Sequence, residues 1–247
     1  MKLIPLELGK IEAALRVVTG EDGTVTLPIA GWLIEHPNGL ALFDNGMHQG
    51  LQTDITRLGR TAKAFRPDYH PGDEVSAQLA ARGIRPSDID VMIFSHLHFD
   101  HAGGTGELPD ARIVVQQAEW EAGHDAKLIE EGVYDPIDYD HGHDVQAVKG
   151  EHDVFGDGTV TCIPTPGHTP GHQALRIELE SGPVVLTGDC VYFERMMDDM
   201  LVPKFGHDTD QQRQSMQHLA SLRDEGCKLI YGHDEAQFRS LPSEGLQ

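Results

Sequence analysis

The chain has 247 residues, of which 40 are acidic and 19 basic, for a formal charge of −21. A field of that sign repels nucleic acid and anionic lipid, so neither is expected as a partner. No stretch approaches the roughly eighteen apolar residues that would span a bilayer.

Taken in chain order, Leu3–Leu8, Ala13–Val18, Ile29–Ile34 and Leu40–Phe43 read as short strands separated by Gly, Asp and Pro turns. The first of them, broken by Pro5 and Glu7, lacks the form of a signal peptide. Glu74–Arg82 reads as a helix, with Asp73 as its N-cap and Gly83 as its stop. Strands follow at Val91–Phe94 and Ile113–Gln116, then a helix at Gln117–His124. The polar stretch Glu130–His152 reads as a loop, and its His141/His143 pair as solvated residues rather than an extra metal site. Val160–Ile163, Ala174–Leu179 and Val184–Leu186 are strands, and Asp210–Asp224 is a helix. No Pro/Ser-rich linker, like-charge block or short repeat divides the chain. Cys162, Cys190 and Cys227 are scattered without Cys-x-x-Cys spacing, which argues against a disulfide framework and for a reducing, cytoplasmic setting. Cys190 reads as small apolar packing.

The densest chemistry lies at residues 95–101, Ser-His-Leu-His-Phe-Asp-His, directly after the Val91–Phe94 strand. His96, His98, Asp100 and His101 fall within six positions, a nitrogen and oxygen set suited to a hydrolytic metal rather than a thiolate structural one. In an extended segment His96 and His98 share a face and can reach one ion. Asp100 and His101 break that alternation and can turn toward a second. Three further candidates follow apolar runs and are flanked by glycine, which lets the backbone turn tightly. They are His168 in Gly167-His168-Thr169-Pro170-Gly171-His172, Asp189 in Thr187-Gly188-Asp189, and His233 in Tyr231-Gly232-His233-Asp234.

In this order the motifs resemble the metallo-β-lactamase superfamily, from about Leu33 to His233. The resemblance implies an α/β fold, a four-layer αββα sandwich, with residues 1–247 as one hydrolase domain. It implies that His96, His98 and His168 hold one metal, that Asp100, His101 and His233 hold another, and that Asp189 bridges them. His172 lies nearby but outside this set. The resemblance also matches Asp44, in Leu42-Phe43-Asp44-Asn45-Gly46, to a position that orients a ligating histidine, although Asn45 stands where Thr is more usual. The expected cofactor is two divalent ions, zinc first, with iron, cobalt or manganese as alternatives. Two such ions can share a hydroxide that attacks an ester, lactone, thioester, amide or phosphodiester. His98, where diiron redox members carry Glu, keeps the hydrolytic pattern.

Among members, Ser95–Gly104 and Thr165–Gln173 look like the quorum-quenching N-acyl homoserine lactone lactonases. Tyr192, three residues after Asp189, matches a tyrosine that faces the lactone carbonyl in those enzymes. The resemblance therefore implies Asp100 and Tyr192 as catalytic residues, Phe99 and Tyr192 as substrate contacts, and a small-molecule lactone as substrate. Met47 and Phe65 are candidate walls for an acyl chain. Phe193–Met200, rich in Met and acid, either shapes that pocket or packs a helix. A homodimer is left open. The competing readings are a hydrolase of another small lactone or ester, a glyoxalase II-like thioesterase, and an inactive binding protein of the same fold. The short Asp234–Gln247 tail speaks against the thioesterase, and the complete ligand set against the binding protein.

Overall fold

An extra residue in the first strand sets the course of the whole first sheet. The structure, a computed structural model, describes residues 1–247. Its β1 (Lys2–Ala14) pairs antiparallel with β2 (Thr24–His36), Glu7 opposite Ala30 but Lys10 opposite Pro28, so β1 bulges by one residue there. Gly9, at φ +90°, supplies the backbone conformation the bulge requires. The bulge shifts the alternation, so Leu6 and Leu8 before it and Ile11 and Ala13 after it face the same core. That change of phase is why the sequence reads as two strands. The expected strand at Ala13–Val18 is corrected: extended backbone stops at Ala14, and Leu15–Val18 is a single helical turn, α1, at the hairpin.

The remaining strands are β3 (Gly39–Phe43), β4 (Phe65–Asp68), β5 (Val91–Ile93), β6 (Arg112–Gln116), β7 (Val145–Val148), β8 (His152–Asp153), β9 (Val160–Pro164), β10 (Gln173–Leu179), β11 (Gly182–Leu186) and β12 (Lys228–Ile230). They form two mixed sheets, ordered β4-β1-β2-β3-β5-β6-β7 and β12-β11-β10-β9-β8. Alternate residues divide between two cores. Ile34, Phe43, Ile93 and Val114 from the first sheet meet Cys162, Leu175, Ile177 and Leu186 from the second in the space between sheets. Their neighbours Leu33, Leu42, Met92, Ile113 and Val115 face the other way, into a core shared with the helices. This is an αββα sandwich, as expected.

The helices are α2 (Val75–Ala80), α3 (Phe99–Ala102), α4 (Gln117–Gly123), α5 (Ala126–Glu131), α6 (Glu194–Asp198), α7 (Thr209–Asp224) and α8 (Glu235–Ser240). Two details differ from expectation. Glu74, not Asp73, is the residue preceding α2, because the Asp73 carboxylate is taken by the His70 N–H at 2.7 Å. The Glu130–His152 stretch is not all loop: Val145–Val148 is an edge strand, parallel to β6, whose outward Gln146 and Ala147 hide its alternation. His143 Nε2 sits 3.0 Å from the Leu108 carbonyl, a structural bond within that stretch. No helix is long and apolar enough to cross a membrane.

Candidate metal centre

All seven candidate ligands meet at one end of the sandwich, where strands of both sheets give way to loops. His96 and His98 follow β5 in extended backbone, and the chain then winds into the single turn α3, which swings Asp100 and His101 aside. His168 lies between β9 and β10, Asp189 just after β11, and His233 just after β12. Three groups of ligand atoms result: His96, His98 and His168; His96, His101 and Asp189; and Asp100, His101 and His233.

In the first group His98 Nδ1 lies 2.9 Å from His96 Nε2 and 3.1 Å from His168 Nε2. Burial, reinforced for His96 and His168 by the other imidazoles, holds these three below the usual histidine range, so they are neutral near pH 7. Neutral nitrogens crowded at that spacing are the donor set of a metal, since two zinc-bound nitrogens in tetrahedral geometry lie roughly 3.3 Å apart. In the third group, burial opposes charge on His101 and His233, but carboxylates led by Asp189 raise both.

Asp189, a member of the second group, faces the first and the third as well. Its Oδ2 lies 3.3 Å from His168 Nε2, and its Oδ1 lies 3.2 Å from His101 Nε2 and 2.9 Å from His233 Nε2. Burial would raise this carboxyl, but His233 and His101 hold it well below the carboxylate range. Short as the separations from Asp189 are, their angles do not suit hydrogen bonds, and His101 Nε2 and Asp189 Oδ1, both buried, have no hydrogen-bond partner within the protein. Orphaned buried atoms of this chemistry are what cations would satisfy, so the residues present fit two metal ions.

The surroundings orient the candidate ligands. Asp44, held at φ 57°, accepts from the Ser95 N–H at 2.8 Å and the Ser95 hydroxyl at 2.7 Å, and its Oδ2 is 2.8 Å from His101 Nδ1. His233 Nδ1 donates to the Pro28 carbonyl at 2.9 Å, and Ser95 Oγ lies 2.9 Å from His96 Nδ1. These contacts leave Nε2 of all three rings facing inward. His98 alone turns Nδ1 inward, which no motif reveals. Asn45 accepts from the Gly104 N–H and donates to the Thr105 hydroxyl, so it ties down the chain after the cluster in its own way. His172 is fully buried with Nδ1 beside the Thr165 hydroxyl, and burial pushes its pKa down to about 3.

The centre opens into a cavity of about 700 Å3. His98, Phe99, Asp100, His168, Asp189, Tyr192 and His233 line its floor, and Leu27, Leu51, Leu58, Phe65 and Phe205 are among its apolar walls. Tyr192 is buried with its ring 4.9 Å from that of His233, and burial together with Asp189 keeps its phenol protonated. Two expectations divide here. Phe65 lines the cavity, whereas Met47 is core, 1% exposed, with Tyr69 donating to its carbonyl. Met196 and Met197 are buried packing residues of α6 and not cavity wall. Sequence reading missed Phe205, the aliphatic wall from the first sheet's loops, and the buried carboxyls Glu119 and Asp138.

A fold of this topology with this histidine and aspartate constellation defines a class, and comparison with known proteins agrees: residues 25–233 match the profile of the metallo-beta-lactamase superfamily. The chain belongs to that superfamily. Within it, the chain is 31% identical to the N-acyl homoserine lactonase AttM of Azorhizobium caulinodans, over 95% of this chain and 93% of the relative. It is 33% identical to the N-acyl homoserine lactonase AiiA of Bacillus thuringiensis subsp. kurstaki, over 87% and 85% of the two chains. Among solved structures, an N-acyl homoserine lactone hydrolase with the product N-hexanoyl-L-homoserine at its catalytic metal centre superimposes with a TM-score of 0.87. That match has 30% identity and covers 98% of this chain and 96% of the other.

Proposed function

We propose that this chain is a dinuclear-metal hydrolase that opens the lactone ring of N-acyl homoserine lactones. The observation that carries the reading is Asp189, whose two oxygens face two separate histidine groups on the floor of a cavity shared with Tyr192. In this reading His96, His98 and His168 hold one ion, Asp100, His101 and His233 the other, and Asp189 both. Zinc suits the nitrogen-rich set, with iron, cobalt and manganese as admissible alternatives. Bound there, two divalent cations supply Lewis acidity and a nucleophile at neutral pH.

The protein's own groups do the rest. The Tyr192 phenol keeps its proton and donates a hydrogen bond to the lactone as negative charge develops on its oxygens. Asp100, which lines the cavity, takes up on its carboxylate the proton shed as water adds to the lactone carbonyl and returns it to the ring oxygen as the ring C–O bond breaks. Phe99 lies against the substrate, and the apolar wall of Leu51, Leu58, Phe65 and Phe205 shelters the acyl chain. The three buried, unpaired cysteines support a reducing, cytoplasmic setting.

A substrate panel tests this reading. Zinc-loaded protein is offered N-hexanoyl and N-decanoyl homoserine lactone, unsubstituted γ- and δ-lactones, and S-lactoylglutathione. The acyl homoserine lactones should give the highest kcat/KM. A higher value for the thioester, or for a lactone with no acyl amide, would replace the proposed substrate class.

A further inference from the structure

Glu119 stands on α4, away from every candidate ligand in sequence, yet it is 0% exposed. Burying a carboxylate is costly unless hydrogen bonds replace its water. No lysine or arginine pairs with it; its partners are two backbone N–H groups and one phenol. Oε1 accepts from the Leu97 N–H at 3.0 Å and from the Tyr134 hydroxyl at 2.9 Å, while Oε2 accepts from the Gly171 N–H at 3.0 Å. Leu97 lies between His96 and His98. Gly171 lies in the tight turn that carries His168, and a Cβ on it would fall 2.1 Å from the Glu119 nitrogen. One side chain therefore clasps the two loops that together present the first histidine group.

The other group is tethered elsewhere, through Asp44 to His101 and through the Pro28 carbonyl to His233. We infer that Glu119 is a positioning residue of the metal centre, setting the separation of the His96–His98 loop and the His168 loop so that one ion finds three nitrogens. The inference rests on the dinuclear reading above. Only a carboxylate accepts at both oxygens; in Glu119→Gln one end presents N–H groups to a backbone N–H or to the Leu97 and Tyr134 donors.

Metal binding separates this role from simple support of the fold. Stripped full-length protein is titrated with zinc against a chromophoric chelator, resolving two stepwise affinities. In Glu119→Gln one affinity should fall about 10–100-fold, as for other groups that orient metal ligands, with the other within about threefold of wild type. The cobalt(II)-loaded form should show an altered visible spectrum. Glu119→Asp, with both oxygens on a shorter stem, should fall between. The core truncation Ile113→Ala should lower Tm without changing the ratio of the two affinities. Should Glu119→Gln fail to fold, Glu119→Asp carries the comparison against the same control. An unchanged ratio in the folded Glu119 variants overturns the inference. Wild-type protein binding fewer than two ions would instead overturn the dinuclear reading, before any variant is compared.

Discussion

Tyr192 and Asp138 both line the cavity, and burial disfavours the charged form of each. Tyr192 keeps its proton because burial and the Asp189 carboxylate both disfavour the phenolate. Tyr192→Phe deletes the donor but keeps the ring, so metal content should stay unchanged while kcat and kcat/KM for an acyl homoserine lactone both fall about tenfold or more. Wild-type kinetics in the variant would reduce Tyr192 to packing. Asp138 lines the cavity, and burial, with Asp135 nearby, pushes its carboxyl up to about 7. Its folded pKa exceeds its unfolded value, so its contribution to stability is full below about pH 4 and is lost as pH rises toward 7. Asp138→Asn should therefore gain stability relative to wild type at pH 8, by up to a few kcal/mol at ~1.4 per unit, and little at pH 4. Thermal unfolding of the metal-stripped proteins across that range checks it, since histidine ligands release metal as they protonate near pH 4; parallel pH profiles would show that Asp138 is not held neutral by the fold.

Elements were legible in the sequence where their side chains carried a pattern, and illegible where backbone contacts did the work. The ligand loops could be read because the His96–His101 cluster is dense and directly follows an apolar strand, and the three later candidates follow apolar runs and are marked by glycine, as in Gly167-His168 and Gly232-His233. Asp44 was readable as a partner of the cluster, and the structure places it on His101. Glu119 was not, since it meets the loops through main-chain N–H groups of Leu97 and Gly171, which no residue type announces. The bulge at Gly9 hid the continuity of β1 by shifting its alternation, and the edge strand β7 was masked by its polar outer face. Gly103, just after α3, illustrates a backbone constraint that a sequence shows only as a small residue. A Cβ there would lie 2.2 Å from the His48 nitrogen and 2.7 Å from the Met47 carbonyl carbon. Gly103→Ala must push the Asp44–His48 loop away, at a cost of roughly 1–3 kcal/mol or more. Tm should drop by several degrees at about 2–4 °C per kcal/mol, and the second ion should bind more weakly because Asp44 moves with the loop. An unaltered Tm and metal content would mean that the loop yields freely.

Across the whole molecule, two sheets and their loops contribute to a single centre: the first sheet supplies His96, His98, Asp100 and His101, and the second His168, Asp189 and His233. Ions held by these residues would join the two halves of the sandwich, and catalysis should then appear only when the centre is complete. The direct measurement is a zinc titration of metal-stripped protein, following ring opening of N-hexanoyl homoserine lactone against ions bound per chain. Turnover should be negligible without metal and complete on approach to two ions per chain. Turnover unaffected by stripping, full activity at one ion, or none at two would contradict the dinuclear reading.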